Sequence, residues 1–129
     1  MIKKVEHTAI IVKDIDKALD FYSSIFDFKL RIRGSNERRE MAFIYHENQP
    51  DFEIELIRDI APITQEYSTV GIVNHIAFTV DNIEESIEYF SSKGIKFKSD
   101  NPNIAIGGAK TIFFDGPDGE SLQLVEPGK

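Results

Sequence analysis

Two histidines and two side chains ending in a carbonyl-type oxygen recur at one spacing in this chain. His7 precedes Glu55 by 48 residues and His75 precedes Gln123 by the same 48, so the second pair repeats the first 68 residues later. Two imidazoles, a carboxylate and an amide oxygen suit a borderline divalent ion such as Zn, Ni, Co, Mn or Fe. Four protein ligands on a concave sheet leave room for water or substrate oxygens, and a carboxylate at the edge of such a site can move a proton.

The spacing extends beyond these four residues. Shifted by 68, His7–Ser24 aligns with His75–Ser92, and six of the eighteen positions are identical: His7/His75, Ala9/Ala77, Val12/Val80, Ile15/Ile83, Ser23/Ser91 and Ser24/Ser92. The same shift pairs Ile54-Glu55-Leu56-Ile57 with Leu122-Gln123-Leu124-Val125. Two distant matches at one offset mark a duplicated half.

Each half reads as strand, helix and three strands. In the first, Val5–Val12 is a strand, Asp14 an N-cap, and Ile15, Leu19, Tyr22 and Phe26 a helical stripe. Phe28–Arg33, Glu40–His46 and Phe52–Arg58 follow as strands, with Glu47–Asp51 as a loop. In the second, Asn74–Val80 is a strand, Asn82 an N-cap, and Ile83, Ile87 and Phe90 the stripe, with Gly94 as C-cap. Ile95–Ser99, Lys110–Asp115 and Glu120–Glu126 supply the last strands, the final two joined by a Gly116-Pro117-Asp118-Gly119 turn. The expected fold is α+β: two βαβββ modules forming a curved eight-stranded mixed sheet. Residues 1–129 make one domain of two repeats, 1–58 and 72–129, joined by a linker at 59–71.

Alternation along the strands sorts the side chains by face. His7, Ala9 and Ile11 oppose the helix-packed Thr8, Ile10 and Val12, and His75, Ala77 and Thr79 oppose Ile76, Phe78 and Val80. Glu53, Glu55 and Ile57 oppose Phe52, Ile54 and Leu56, while Ser121, Gln123 and Val125 oppose Leu122 and Leu124. All four candidate ligands therefore fall on the less apolar faces, where they converge if the halves pack about a pseudo-twofold axis.

These residues, with Ala18-Leu19-Asp20-Phe21-Tyr22, Val73-Asn74-His75-Ile76-Ala77-Phe78 and Leu122-Gln123-Leu124-Val125-Glu126-Pro127, carry a resemblance to the vicinal oxygen chelate superfamily, the glyoxalase, bleomycin-resistance and dioxygenase group. It covers essentially the whole chain and is closest to glyoxalase I-like proteins. The resemblance implies metal ligands at His7, Glu55, His75 and Gln123, with Glu55 catalytic, and a homodimer. It implies a lyase or isomerase that moves a proton through an enediolate-type intermediate, on a small substrate such as a thiol adduct of a 2-oxoaldehyde. Other chemistries of the group are the alternatives: a dioxygenase, an antibiotic thiol transferase, or a metal-free drug-binding resistance protein. Gln123 departs from the usual Glu, which removes a second catalytic carboxylate. Ile11, Asp59 and Ile106 stand where glyoxalase I carries glutathione contacts, so the thiol carrier is expected to differ.

The remaining polar candidates read as structural. Glu53 shares the face of Glu55 without its sequence context, His46 reads as solvated beside a turn, and Glu126 as helix-facing or at an edge. Arg31, Arg33, Arg38 and Arg39 form a basic cluster, read as solvated, with an anchor for an anionic substrate tail as the sharper alternative. Gly107-Gly108 reads as a loop over the site.

A net charge of −7 over 129 residues argues against nucleic acid or an anionic membrane as a general partner. The chain has no cysteine, which excludes thiolate ligands, cysteine nucleophiles and disulfides. No apolar run approaches the ~20 residues of a membrane span, and Met1–His7 lacks a signal-peptide core. A cytoplasmic protein is expected.

Overall fold

A computed structural model describes residue 1, residues 3–60, residue 67 and residues 70–128. The chain divides into two compact units, Met1–Glu66 and Tyr67–Lys129. The first contains β1 (His7–Ile11), α1 (Ile15–Phe26), β2 (Lys29–Ser35), β3 (Arg39–His46) and β4 (Gln49–Asp59). The second contains β5 (Ile76–Thr79), α2 (Ile83–Ser92), β6 (Asn103–Ile104), a 3-10 turn (Ile106–Gly108), β7 (Lys110–Asp115) and β8 (Ser121–Glu126). The two sheets have one topology, β1-β4-β3-β2 and β5-β8-β7-β6. In each, the first strand runs parallel to the last and the other pairs are antiparallel. The α+β class and both βαβββ modules thus stand, with the eight strands arranged as two four-stranded mixed sheets.

Both helices start where the sequence says. Asp14 Oδ1 accepts from Lys17 N at 3.1 Å and Asn82 Oδ1 from Glu85 N at 2.9 Å, each satisfying an otherwise orphaned amide of the first turn. Helix α2 has Lys93 as its cap residue, followed by Gly94 at φ +96°. There the Ile95 amide bonds to the Phe90 carbonyl at 3.0 Å and the Gly94 amide to that of Ser91 at 3.1 Å, a Schellman closure that favours glycine. The buried stripe of α1 is Ile15, Ala18, Tyr22 and Phe26, with Leu19 only half-buried.

In the first unit α1 packs on β3 and β4, where Ala42, Ile44, Ile54 and Leu56 are buried. In the second, α2 packs on β8, where Leu122 and Leu124 are buried beside Ile112 and Phe114 of β7. Burying each such large aliphatic or aromatic side chain contributes ~1.5–3 kcal/mol. These residues carry the sheets, and their alternation leaves the opposite faces for polar groups.

Two boundaries differ from the sequence reading. The loop expected at Glu47–Asp51 shrinks to Glu47-Asn48, because His46 pairs directly with Gln49. Ile95–Ser99 makes one isolated bridge, Phe97 to Phe114, and the paired strand forms further on at Asn103–Ile104. Between them lies Ser99-Asp100-Asn101-Pro102, where the Ser99 hydroxyl donates to the Asn101 carbonyl at 2.9 Å and Pro102 has no amide for the ladder. Of the linker read at 59–71, Asp59 closes β4, and residues 61–66 and 68–69 lie outside the described residues.

Candidate functional site

In the first unit the parallel register sets Ala9 beside Glu55 and His7 beside Glu53, so His7 and Glu55 share a face. His7 Nε2 stands 3.6 Å from Glu55 Oε1. On the other side of the ring, Nδ1 lies 3.2 Å from Glu6 Oε1. An ionised carboxylate only accepts, so this contact suits a hydrogen on Nδ1, and a neutral ring bonded in that way has its lone pair on Nε2. His7 Nε2 and the Glu55 carboxylate face each other across a gap longer than an ordinary hydrogen bond. Two ligands ~2.0–2.2 Å from one tetrahedral ion stand ~3.4 Å apart. The pair therefore fits a shared cation. Phe43, opposite Glu55 in the register, meets the His7 ring edge-on with centroids 5.5 Å apart.

The second unit repeats the construction. Gln123 is in register with Ala77 on one side and Phe113 on the other. Phe113 meets the His75 ring edge-on at 5.3 Å, and His75 Nδ1 lies 2.9 Å from Asn74 Oδ1. His75 is exposed and Gln123 half-buried. Among the described residues no three His, Cys, Asp or Glu side chains are grouped as a metal site. Each unit holds a pair: His7 with Glu55, and His75 on the same sheet face as Gln123.

Residues 4–124 match the family model of the Glyoxalase/Bleomycin resistance protein/Dioxygenase superfamily. The chain belongs to this superfamily. It is 32% identical over 128 residues to the uncharacterized protein YwbC of Bacillus subtilis (strain 168), covering 98% of this chain and 99% of that one. It is 33% identical over 144 residues to the lactoylglutathione lyase of Schizosaccharomyces pombe (strain 972), covering 95% of this chain and 47% of that protein's length. The crystal structure of a glyoxalase family protein from Enterococcus faecalis superposes with a TM-score of 0.78 at 25% identity, covering 96% of this chain and 98% of that one. The βαβββ modules described above are the glyoxalase-like fold.

Within this superfamily member the other polar candidates have structural partners. Arg31 is the extra residue of a β-bulge between Leu30 and Ile32 and donates from Nε to Glu53 Oε2 at 2.5 Å. That contact, above all, raises the pKa of Arg31, and it accounts for Glu53 being nearly buried. Arg33 belongs to the helix side, bonded to Asp16 at 2.6 Å and to Glu40 at 3.1 Å. Arg39 pairs with Asp59 at 3.3 Å, and Arg38 is exposed. His46 Nδ1 accepts from Asn48 N at 3.1 Å, a turn contact. Glu126 faces the helix and accepts from Ile83 N at 3.0 Å, capping α2 across the fold. Ile11 and Ile106 are exposed, and Gly107 and Gly108 form a closed turn at φ +83° and +81°.

The repeat does not single out Phe43 and Phe113, which are 70 residues apart. A register shift between Tyr45 and His46 in the first hairpin, absent from the second, outweighs the difference in turn length and breaks the offset of 68, which sets Phe43 against Thr111 instead. Glu6 and Asn74 do obey the offset, directly before the histidines, and that shared position was the available signal.

Proposed function

We propose that this protein is a divalent-metal-dependent lyase or isomerase of glyoxalase type, acting on a small oxygenated substrate such as a thiol adduct of a 2-oxoaldehyde. The observation that carries the reading is the approach of His7 Nε2 to Glu55 Oε1 at 3.6 Å with Nδ1 already engaged. His7, Glu55, His75 and Gln123 are the proposed ligands of one ion. When bound, the ion supplies Lewis-acid polarisation of adjacent substrate oxygens. Glu55 takes the proton from the carbon beside the polarised oxygen and returns it to the neighbouring carbon. Gln123 has no basic oxygen for that task, so one base serves both steps. Phe43 and Phe113 supply apolar walls beside the two imidazoles.

Asp59 is held by Arg39, and Ile11 and Ile106 offer no polar grip, which supports a thiol carrier other than glutathione. The lactoylglutathione lyase relative supports the reaction type. Among the described residues no helix is long and apolar enough to cross a membrane. The reading includes a homodimer and a cytoplasmic location. Metal analysis of the purified protein, joined to a hemithioacetal isomerisation assay across several thiols, tests it. A bound divalent ion and turnover of at least one adduct support the reading; absence of both overturns it.

A further inference from the structure

Each candidate histidine ligand is engaged from behind by the side chain of the residue directly before it. Neighbours along a strand normally point to opposite faces. Here the histidines sit where the strands begin: β1 starts at His7, and His75 precedes β5. Glu6 and Asn74 are thus outside regular strand, and their oxygens fold back to Nδ1 at 3.2 Å and 2.9 Å. An aromatic edge completes each setting, Phe43 for His7 and Phe113 for His75. The same three-part holder occurs once in each unit, built from residues that differ in charge.

We infer that Glu6 and Asn74 are positioning residues that hold His7 and His75 in the Nδ1–H tautomer, so that both present a bare Nε2 to the cation; this rests on the metal reading above. A ligating imidazole needs a lone pair on the coordinating nitrogen, and a hydrogen-bond acceptor behind the ring selects the tautomer that has it. Glu6 is a carboxylate and Asn74 an amide, just as Glu55 is a carboxylate and Gln123 an amide. The first unit therefore supplies every negative charge of the constellation. Charge-assisted hydrogen bonds are roughly twice as strong as neutral ones, so at either position a carboxylate should hold its ring more firmly than an amide.

The test begins on metal-free protein with 15N-labelled imidazoles. In the wild type, NMR should report the Nδ1–H tautomer at both His7 and His75, and Glu6→Ala or Asn74→Ala should move only the ring behind which the acceptor was removed. Calorimetric titration with Zn(II) and with Co(II) follows. Glu6→Ala should weaken binding ~10–100-fold, Glu6→Gln should recover part of the loss, and Asn74→Asp should bind more tightly than wild type. Both side chains are exposed, so circular dichroism should show every variant folded. Unchanged tautomers in both alanine variants overturn the positioning role, whether or not metal binds. Changed tautomers with affinities unchanged within twofold overturn the role in metal binding. A wild type that takes up neither ion overturns the metal reading and with it the role in metal binding, while the tautomer shifts decide separately whether Glu6 and Asn74 hold the rings.

Discussion

Arg31 donates to Glu53 at 2.5 Å while its guanidinium carbon lies 5.1 Å from the centre of the Phe43 ring. The bulge at Arg31 re-aims its side chain across β3, as bulges commonly do beside functional sites. The contact separates two glutamates that share a face. Glu53 is an anchor for Arg31, whereas Glu55 faces His7. Glu53→Ala should lower the thermal unfolding midpoint and leave metal content unchanged. Glu55→Gln should leave the midpoint near the wild-type value and lose turnover instead, and a Glu53→Ala protein stripped of metal would exchange the two assignments.

His7 and His75 lie off the helix-packed faces. His7→Ala and His75→Ala should each remove the bound ion while the far-UV circular dichroism stays that of the wild type. Full metal occupancy in both variants would locate the site elsewhere.

Leu56 is adjacent to Glu55 but points to the helix side, fully buried. Leu56→Ala should cost about 2–5 kcal/mol of stability in urea unfolding. A loss below ~1 kcal/mol, less than large-to-small core substitutions ordinarily cost, would mean that this part of the core refills the cavity.

Glu40 accepts from Arg58 and from Arg33, and these bonds, Arg58's first, hold its carboxyl below the usual carboxylate value. Folded Glu40 thus takes its proton at lower pH than the unfolded chain, whose glutamates titrate at about 4.3. Its contribution is complete above that value and is lost as pH falls through the folded-state pKa. Glu40→Gln should show a shallower loss of stability on acidification below about pH 4.3. Identical slopes in the two proteins would remove Glu40 from the acid response.

The succession of elements in each half, the helix starts and the faces of the four candidate ligands were legible because they follow from alternation, capping and a repeated offset. The position of β6 was not. Ile95 and Phe97 alternate like a strand, Ile95 buried and Phe97 half-buried against Phe114, but the chain makes its continuous pairing only after Pro102. The arginines were equally opaque, since their partners are remote in sequence: Arg33 finds Asp16, and Arg58 finds Glu40. The holders behind the histidines depend on rotamers, which spacing does not specify.

Gln123 is where this chain tests its own chemistry. In the proposed ligand set Glu55 is the sole charged member, so a divalent ion held there would keep about one uncompensated positive charge, which would strengthen its pull on a substrate oxygen. On that proposal an amide at position 123 would leave Glu55 to remove and return the proton alone. Loss of a general base costs ~10²–10⁴-fold, so Glu55→Gln should fall at least that far in hemithioacetal turnover. Gln123→Glu restores a second carboxylate on the matching strand of the other unit. It should retain the metal and raise turnover, because proton removal and return can then be divided between two bases. Near-normal turnover in Glu55→Gln would eliminate Glu55 as the base. Loss of metal in Gln123→Glu would eliminate Gln123 as a ligand, since a carboxylate oxygen at the same position is the stronger donor to a divalent cation.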